Sequence, residues 1–280
     1  KKVIDAWTEH SVQMDEAMIK LEAGKTYKLQ VEYFDNGGDC FAGLYWKTPS
    51  AGSQNVLARF GDAGKVAAEC DVTVAVLGIN KSIEREGQDR FSLELPVDQQ
   101  EFIKELYKVN PNTVVVLVAG SSMAVNWMDE NVPAILNAWY PGEQGGNAVA
   151  EVLFGDYNPG GRLPLTYYNS LDEIPAFDNY SVKGRTYQYF EGQPLYEFGY
   201  GLSYTKFRYK SKGVNVEQDT VKVSFEVSNT GKYDGDEVAQ VYVKYPETGT
   251  YMPLKQLHGF KRVHIKKGKT SKVTIGVPKK

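Results

Sequence analysis

The middle of the chain, from about residue 50 to residue 205, alternates between two hydrophobic patterns. Continuous apolar runs rich in β-branched residues end in glycine, as the buried strands of a parallel sheet do. Between them, apolar residues recur at helical spacing. This alternation predicts an α/β domain with an open, mostly parallel sheet sandwiched by helices. The predicted elements are helices at 62–70, 96–108 and 145–154 and strands at 72–78, 113–119 and 134–139.

Residues 1–49 have the pattern of a β domain. Apolar and polar residues alternate at 27–34, after a predicted turn at 22–25. A second turn at 35–39 leads to a further predicted strand at 40–46. So few strands cannot close a sandwich, so we expect a partial β-sandwich that is truncated.

Residues 206–280 return to β patterning, with short strands separated by turns that contain glycine. The predicted strands are 221–227, 237–245 and 271–277, with turns at 229–231 and 267–268 between them. This pattern predicts an immunoglobulin-like β-sandwich.

The segment between these domains, residues 155–205, is rich in Gly, Pro and aromatic residues and has little periodicity. Such a long irregular segment is uncommon unless it is functional or packed, and it is too aromatic for a disordered linker. We therefore expect residues 167–204 to wrap over neighbouring domains and to bury many of their aromatic side chains.

Composition and charge argue against a nucleic-acid-binding protein, a membrane-spanning segment and a histidine metal site. The net charge of −3 gives no basic surface for nucleic acid, and no apolar run reaches the ~20 residues of a membrane span. Cys40 and Cys70 are expected to be free, and His10, His258 and His264 lack the spacing of metal ligands. The 19 tyrosines suit sugar binding, although packing accounts for the larger share.

The strongest candidate for chemistry is the loop at residues 78–90, which leaves the carboxyl end of the first apolar strand. Sheets of this class bind ligands at that edge. Two carboxylates, Glu84 and Glu86, lie two positions apart, and Gly87 allows a tight turn. Either carboxylate is a candidate general acid, but from the residues alone solvated charges are the favoured interpretation, with residues 89–90 forming local ion pairs.

A second cluster of glycines, at residues 139–147, precedes a helix and resembles an anion-binding turn. It matches neither of the common nucleotide-binding glycine patterns, so glycines that permit close packing are the favoured interpretation. Ser121 and Ser122 lack the glycine-flanked elbow of a serine hydrolase.

Taken together, four segments resemble glycoside hydrolase family 3. The segment Glu84–Arg90 is similar to that family's acid/base loop. The other three segments resemble motifs that come after this loop in sequences of the family. The later segments are 139–146, 155–164 and 196–204. The resemblance runs from about residue 55 to the end, where the sequence is similar to a fibronectin type III-like domain. Residues 1–49 look like the end of a protective-antigen-like β-sandwich that some members carry as an insertion.

The resemblance implies a retaining β-glycosidase that acts on terminal β-glucosides or β-xylosides without metal or cofactor. It places the acid/base role on Glu86, with Glu84 as the fallback, and the nucleophilic Asp on a (β/α)8 barrel that this chain lacks. Because the chain lacks an initiator Met and ends directly after a strand, we expect it to be part of a longer protein. We expect an extracytoplasmic location, periplasmic or secreted, and the sequence does not indicate the oligomeric state.

Two alternatives belong to other classes. One is a non-catalytic carbohydrate-binding or scaffolding protein built from the same accessory domains. The other is a flavodoxin-like nucleotide-binding domain with accessory sandwiches.

Overall fold

The computed structural model describes residues 2–7, 15–22, 24–34, 44, 60–246 and 251–279. The chain forms two compact units, residues 1–117 with 132–136, and residues 118–131 with 137–280. Within the described residues, the helices are α1 (Ala63–Glu69), α2 (Val97–Val109), α3 (Asn126–Asn131), α4 (Gly145–Phe154) and α5 (Thr186–Tyr189), with a 3₁₀ turn at Leu171–Glu173. The strands are β1 (Thr73–Gly78), β2 (Thr113–Val118), β3 (Ile135–Asn137), β4 (Phe207–Val216), β5 (Thr220–Asn229), β6 (Gly235–Val243), β7 (Gln256–Ile265) and β8 (Thr270–Pro278).

The first sheet has the strand order β1-β2-β3 and is parallel. The amide of Thr73 donates to the carbonyl of Asn112 at 3.1 Å, and that of Val115 donates to Ala134 at 3.0 Å. Each bond joins the beginnings of two neighbouring strands, which is the parallel arrangement. The predicted parallel sheet is therefore confirmed.

Burial differs between the two long strands of this sheet. Side chains of β2 are buried on both faces, as expected for a central strand. On β1, Ala75 and Leu77 are buried, whereas Val74 and Val76 are 45% and 65% exposed. The apolar run of β1 is expected to be buried throughout, but only one face of the strand is buried among the described residues.

Two features define the ends of the helices α2 and α1. Pro96 lies just before α2 as its N-cap residue, one position earlier than the first turn predicted for it. The side-chain amide of Asn110 donates to the carbonyls of Ala67 and Cys70 at 3.0 and 2.8 Å, which satisfies the end of α1.

The C-terminal strands form two antiparallel sheets, with orders β4-β5-β8 and β6-β7. Their shared core contains Phe225, Val227, Ala239, Ile265 and Val273 among its buried side chains. The predicted sandwich is thus confirmed, although the sequence did not indicate β4 or β7. Both missed strands carry Lys or Arg on exposed faces, which weakens the hydrophobic alternation.

The predicted turn at 22–25 forms, since the amide of Lys25 donates to the carbonyl of Glu22 at 3.2 Å and Gly24 has a φ of 78°. The strand predicted at 27–34 does not form, and its side chains are exposed. Alternation creates a strand only when a neighbouring strand supplies hydrogen bonds, and no described residue does so here. The turn at 35–39 and most of the strand at 40–46, including Cys40, fall outside the described residues.

The aromatic segment packs against the sandwich only in part. Tyr187 stacks on Phe198 with ring centroids 4.1 Å apart, and its hydroxyl accepts a hydrogen bond from the amide of Leu257 at 3.0 Å. Tyr167 is fully buried, whereas Tyr180 is 91% exposed. The expected packing is therefore correct for Tyr167 and Tyr187 and wrong for Tyr180.

Two smaller observations concern the described residues alone. Cys70 is exposed and its thiol is free, as expected. In this part of the chain no helix combines the length and apolar character needed to cross a bilayer.

Candidate functional site

The predicted acid/base loop is fixed at its base by a helix. The side chain of Gln99 on α2 accepts a hydrogen bond from the amide of Gly78 and donates one to its carbonyl, both at 2.8 Å. Ile79, the next residue, is 4% exposed and anchors the loop in the core. The strand therefore ends at a defined point, and the loop leaves it in a defined direction.

The first half of the loop is a turn organised by Asn80. Its side-chain oxygen accepts hydrogen bonds from the amide and hydroxyl of Ser82 at 2.8 and 2.6 Å, and its carbonyl accepts the amide of Glu84 at 3.1 Å. Such side-chain turns are a common use of Asn. The side-chain amide of Gln88 donates to the carbonyl of Ser82 at 3.1 Å and ties the second half of the loop to the first.

Glu86 lies at the tip of a two-residue hairpin. The backbones of Arg85 and Gln88 exchange hydrogen bonds of 3.1 and 3.0 Å, which leaves Glu86 and Gly87 as the central residues. Gly87 has a φ of 75°, a conformation that favours glycine. The Glu86 side chain is exposed and makes no hydrogen bond or ion pair with another described residue.

Glu84 has a different environment, although it lies only two positions away. Its carboxylate forms an ion pair with Arg90 at 3.1 Å, and the two side chains are only 19% and 10% exposed. Arg90 also donates to the carbonyl of Leu93 at 3.3 Å. The local ion pair of Arg90 thus forms with Glu84 rather than with Asp89, and Glu86 remains exposed without a partner among the described residues.

The glycine cluster at 139–147 has a structural explanation. Gly145 opens α4, and a Cβ added there would overlap the ring of Pro141. Gly142 has a φ of 69°, and Trp139 has a φ of 54°, which is rare for a residue with a side chain. The favoured interpretation, glycines that permit close packing, is the one that the geometry supports.

The segments 155–164 and 196–204 are joined by backbone hydrogen bonds and by the side chain of Asn158. The oxygen of the Asn158 amide accepts hydrogen bonds from the Ser203 hydroxyl and the Tyr204 amide at 2.9 and 2.8 Å, and its nitrogen donates to the carbonyl of Asp234 at 2.8 Å. These motifs therefore position the C-terminal sandwich within the second unit.

A buried carboxylate was missed by sequence reasoning. Glu237 on β6 is 9% exposed, and its oxygens accept hydrogen bonds from Arg162 at 2.5 Å and from the Tyr209 hydroxyl at 2.7 Å. Burial and this hydrogen bond raise the pKa of Tyr209 above its usual range. The available signal was alternation, because Gly235, Glu237 and Ala239 share the inward face of one strand.

A tyrosine cluster joins α3 to the segment 196–204. The hydroxyl of Tyr196 donates to the carboxylate of Asp129 at 2.6 Å. Burial, reinforced by this hydrogen bond, raises the pKa of Tyr196 well above its usual range. The hydroxyl of Tyr167 accepts a hydrogen bond from the Asn137 amide at 2.9 Å. The phenol of Tyr196 therefore stays protonated, and both hydroxyls act as hydrogen-bonding groups.

Two family models match the chain. The glycosyl hydrolase family 3 C-terminal domain matches residues 12–204, and a fibronectin type III-like domain matches residues 237–280. The first match crosses the boundary predicted between residues 49 and 50. The second lies within the predicted domain at 206–280.

Named relatives and a crystal structure agree with these matches. A xylan 1,4-beta-xylosidase of Xylanibacter ruminicola is 44% identical over 195 residues, and a beta-glucosidase of Kluyveromyces marxianus is 35% identical over 278 residues. The alignments cover 69% and 92% of this chain but only 22% and 32% of those proteins. The crystal structure of the Kluyveromyces marxianus enzyme in complex with glucose matches with a TM-score of 0.71 and 36% identity, over 78% of this chain and 28% of that one.

Proposed function

Since the chain belongs to glycoside hydrolase family 3, we propose that it forms the C-terminal part of a retaining β-glycosidase that releases terminal β-glucosyl or β-xylosyl units. The names of the relatives, a beta-xylosidase and a beta-glucosidase, support this substrate range. The chain spans at most about a third of either relative. We propose that the rest of the enzyme includes a (β/α)8 barrel that carries the nucleophilic Asp.

Glu86 is the proposed general acid/base. The observation that carries this assignment is its place at the tip of a braced hairpin, exposed and unpaired with any other described residue. A group that must give a proton to one atom and take a proton from another needs a carboxyl that other side chains do not occupy. Glu84, which is paired with Arg90, does not meet this need.

The mechanism has two half-reactions. The barrel Asp attacks the anomeric carbon, and Glu86 donates its proton to the departing glycosidic oxygen. The Glu86 carboxylate then removes a proton from water, and the hydroxide formed releases the sugar from the Asp. This chemistry requires the two carboxyl groups to lie about 5–5.5 Å apart.

The test uses the full-length enzyme and aryl glycosides with good and poor leaving groups. In Glu86→Ala, turnover of substrates with poor leaving groups should fall far more than turnover of substrates with good ones, because a good leaving group departs without a proton. Azide should partly restore turnover of the activated substrates, since it attacks the intermediate without a base. The matched control is Glu84→Ala, the same substitution two residues away.

The results for the two variants assign the roles of Glu84 and Glu86. If Glu84→Ala shows the leaving-group pattern and Glu86→Ala does not, the two roles are reversed. If neither variant shows it, the acid/base lies elsewhere. A full-length protein that binds β-glycosides but hydrolyses none of them would support the non-catalytic carbohydrate-binding alternative.

A further inference from the structure

A cleft of about 630 Å³ lies wholly within the second unit, between residues 193–201 and the strands β4 and β6. It is far richer in tyrosine than the chain as a whole, and we call it the tyrosine cleft. Its tyrosines are Tyr196, Tyr200, Tyr209 and Tyr242, and its charged residues are Arg162, Glu197, Glu237 and Lys255. The volume falls in the range of about 300–1,000 Å³ that is usual for small-molecule sites.

The charges of the tyrosine cleft are paired inside it. Arg162 forms its ion pair with the buried Glu237, and Lys255 forms an ion pair with Glu197 at 3.1 Å. The formal charges of the residues that line the cleft therefore sum to zero. A cleft without net charge gives neither an anion nor a cation an advantage, so its chemistry suits a neutral ligand.

The aromatic rings of the cleft are held in fixed positions. Tyr200 stacks on Tyr196 with centroids 5.2 Å apart and 15° between the planes. The hydroxyl of Tyr209 is held by Glu237, and its ring packs on Phe225 at 5.6 Å. Tyr200 and Tyr209 are nevertheless 41% and 47% exposed. Fixed rings with accessible surface provide apolar area at little entropic cost.

Hydrogen-bonding groups remain available beside these rings. Tyr200 and Gln193 both line the cleft, and neither the hydroxyl of Tyr200 nor the side-chain amide of Gln193 makes a hydrogen bond with another residue in the described part of the chain. The Tyr242 hydroxyl, by contrast, is already bonded to Gln240 at 2.5 Å. The cleft therefore offers unused polar groups at the edge of accessible aromatic surface.

We propose that the tyrosine cleft is a non-catalytic binding site for a neutral oligosaccharide of pyranoses; that these are β-linked rests on the proposed function. A pyranose has an apolar face that packs on an aromatic ring and hydroxyls that pair with phenol and amide groups. This ligand is the class that matches a cleft of zero net charge with exposed tyrosines. The site uses no residue of the loop at 78–90, so it goes beyond the proposed acid/base role.

The experiment titrates the chain itself with xylotetraose and cellotetraose, with binding followed by calorimetry and by NMR. Because the 280-residue chain contains the cleft but not the proposed barrel, hydrolysis does not enter the measurement. Tyr200→Ala should weaken binding about three- to tenfold, the range expected for one aromatic contact. Tyr200→Trp should retain binding, since it keeps an aromatic face.

Two further variants make the test specific. Tyr180→Ala is the same substitution at a 91% exposed tyrosine outside the cleft, and it should leave the affinity unchanged. Gln193→Ala changes an exposed side chain, so it should weaken binding without unfolding the chain even if Tyr200→Ala proves unstable.

The proposal is overturned by any of three results. These are the absence of binding of both oligosaccharides at millimolar concentration, equal affinity of Gln193→Ala and the parent chain, or binding of a proline-rich peptide in place of the sugars. None of these results bears on Glu86, whose role is tested by hydrolysis in the full-length enzyme.

Discussion

Two glutamates of this molecule occupy opposite environments. Glu86 is exposed at the tip of a hairpin and is unpaired with other described residues, whereas Glu237 is buried between a guanidinium and a phenol. A buried, fully paired carboxylate supports a fold, because its partners would be left unsatisfied without it. A carboxylate on a rigid loop with free oxygen atoms can exchange protons with a substrate. The environment, rather than the residue type, separates a structural carboxylate from the one that we propose to be catalytic.

The largest expected effect is on catalysis. Glu86→Gln in the full-length enzyme should slow hydrolysis of substrates with poor leaving groups roughly 10²–10⁴-fold, the usual worth of general acid–base help. The melting temperature should not change, because the side chain has no partner in the described residues to lose. Steady-state kinetics and calorimetry on the same preparation measure both quantities. A marked fall in melting temperature would show that Glu86 is structural.

The opposite behaviour is expected at the buried pair. Glu237→Ala should lower the free energy of unfolding by about 3–5 kcal/mol, because Arg162 remains buried without its partner. The double variant Arg162→Met with Glu237→Met should recover most of this loss, since no charge is then left buried. Urea unfolding of the chain provides the measurement. Equal losses in the single and double variants would contradict the explanation.

A smaller loss of folding stability is expected when a buried side-chain amide in the same unit is removed. Asn229 is 1% exposed, accepts a hydrogen bond from the Thr205 hydroxyl at 2.6 Å, and donates to the carbonyls of Tyr233 and Ile265 at 2.8 Å. Asn229→Ala should lower the free energy of unfolding by about 1–3 kcal/mol. Asn215→Ala, on an exposed strand, is the control and should change it by less than about 0.5 kcal/mol.

The smallest effect depends on pH. Burial alone would raise the pKa of Asp236, but hydrogen bonds from His264 and Arg262 outweigh it, and the pKa lies below its ordinary 3.8. A lowered carboxyl pKa stabilises the folded state above pH 3.8, and this contribution disappears as the pH falls through the folded-state pKa. Asp236→Asn should thus be less stable by about 1 kcal/mol near neutral pH, because the ion pair is partly exposed.

Chemical unfolding at a series of pH values checks this prediction. The difference between Asp236→Asn and the parent should close in strongly acidic solution. Arg262→Gln should reduce the same pH dependence, because it removes one of the hydrogen bonds that lower the Asp236 pKa. A difference that stays constant down to low pH would count against the ion pair as its source.

The sequence predicted correctly the strands and helices that depend on a local pattern of apolar residues. The runs that form β1 and β2 and the helix α4 were predicted closely, because their length and periodicity are set by neighbouring residues. The strand expected at 27–34 failed because a strand also needs a pairing partner, which alternation does not guarantee. Domain boundaries at residues 49/50 and 205/206 remain predictions.

The candidate site was predictable only in part. The sequence indicated the loop and, through a family resemblance, Glu86, whose catalytic role remains a prediction. It did not indicate the Gln99 clamp on Gly78, which joins residues 21 positions apart, or the pairing of Arg162 with Glu237 across 75 positions. These contacts join elements that are far apart along the chain, so no local pattern of residues in the sequence indicates them.

The clamp of Gln99 on Gly78 also bears on the order of folding. Short chain separations close with little loss of entropy, whereas closing a separation of 75 residues or more costs additional entropy and takes longer. The loop that presents Glu86 should therefore form together with β1 and α2, before the segment at 155–164 meets the C-terminal sandwich. Pulse-labelled hydrogen exchange during refolding should show the amides of Arg85 and Gln88 protected early, on the timescale of the first strand.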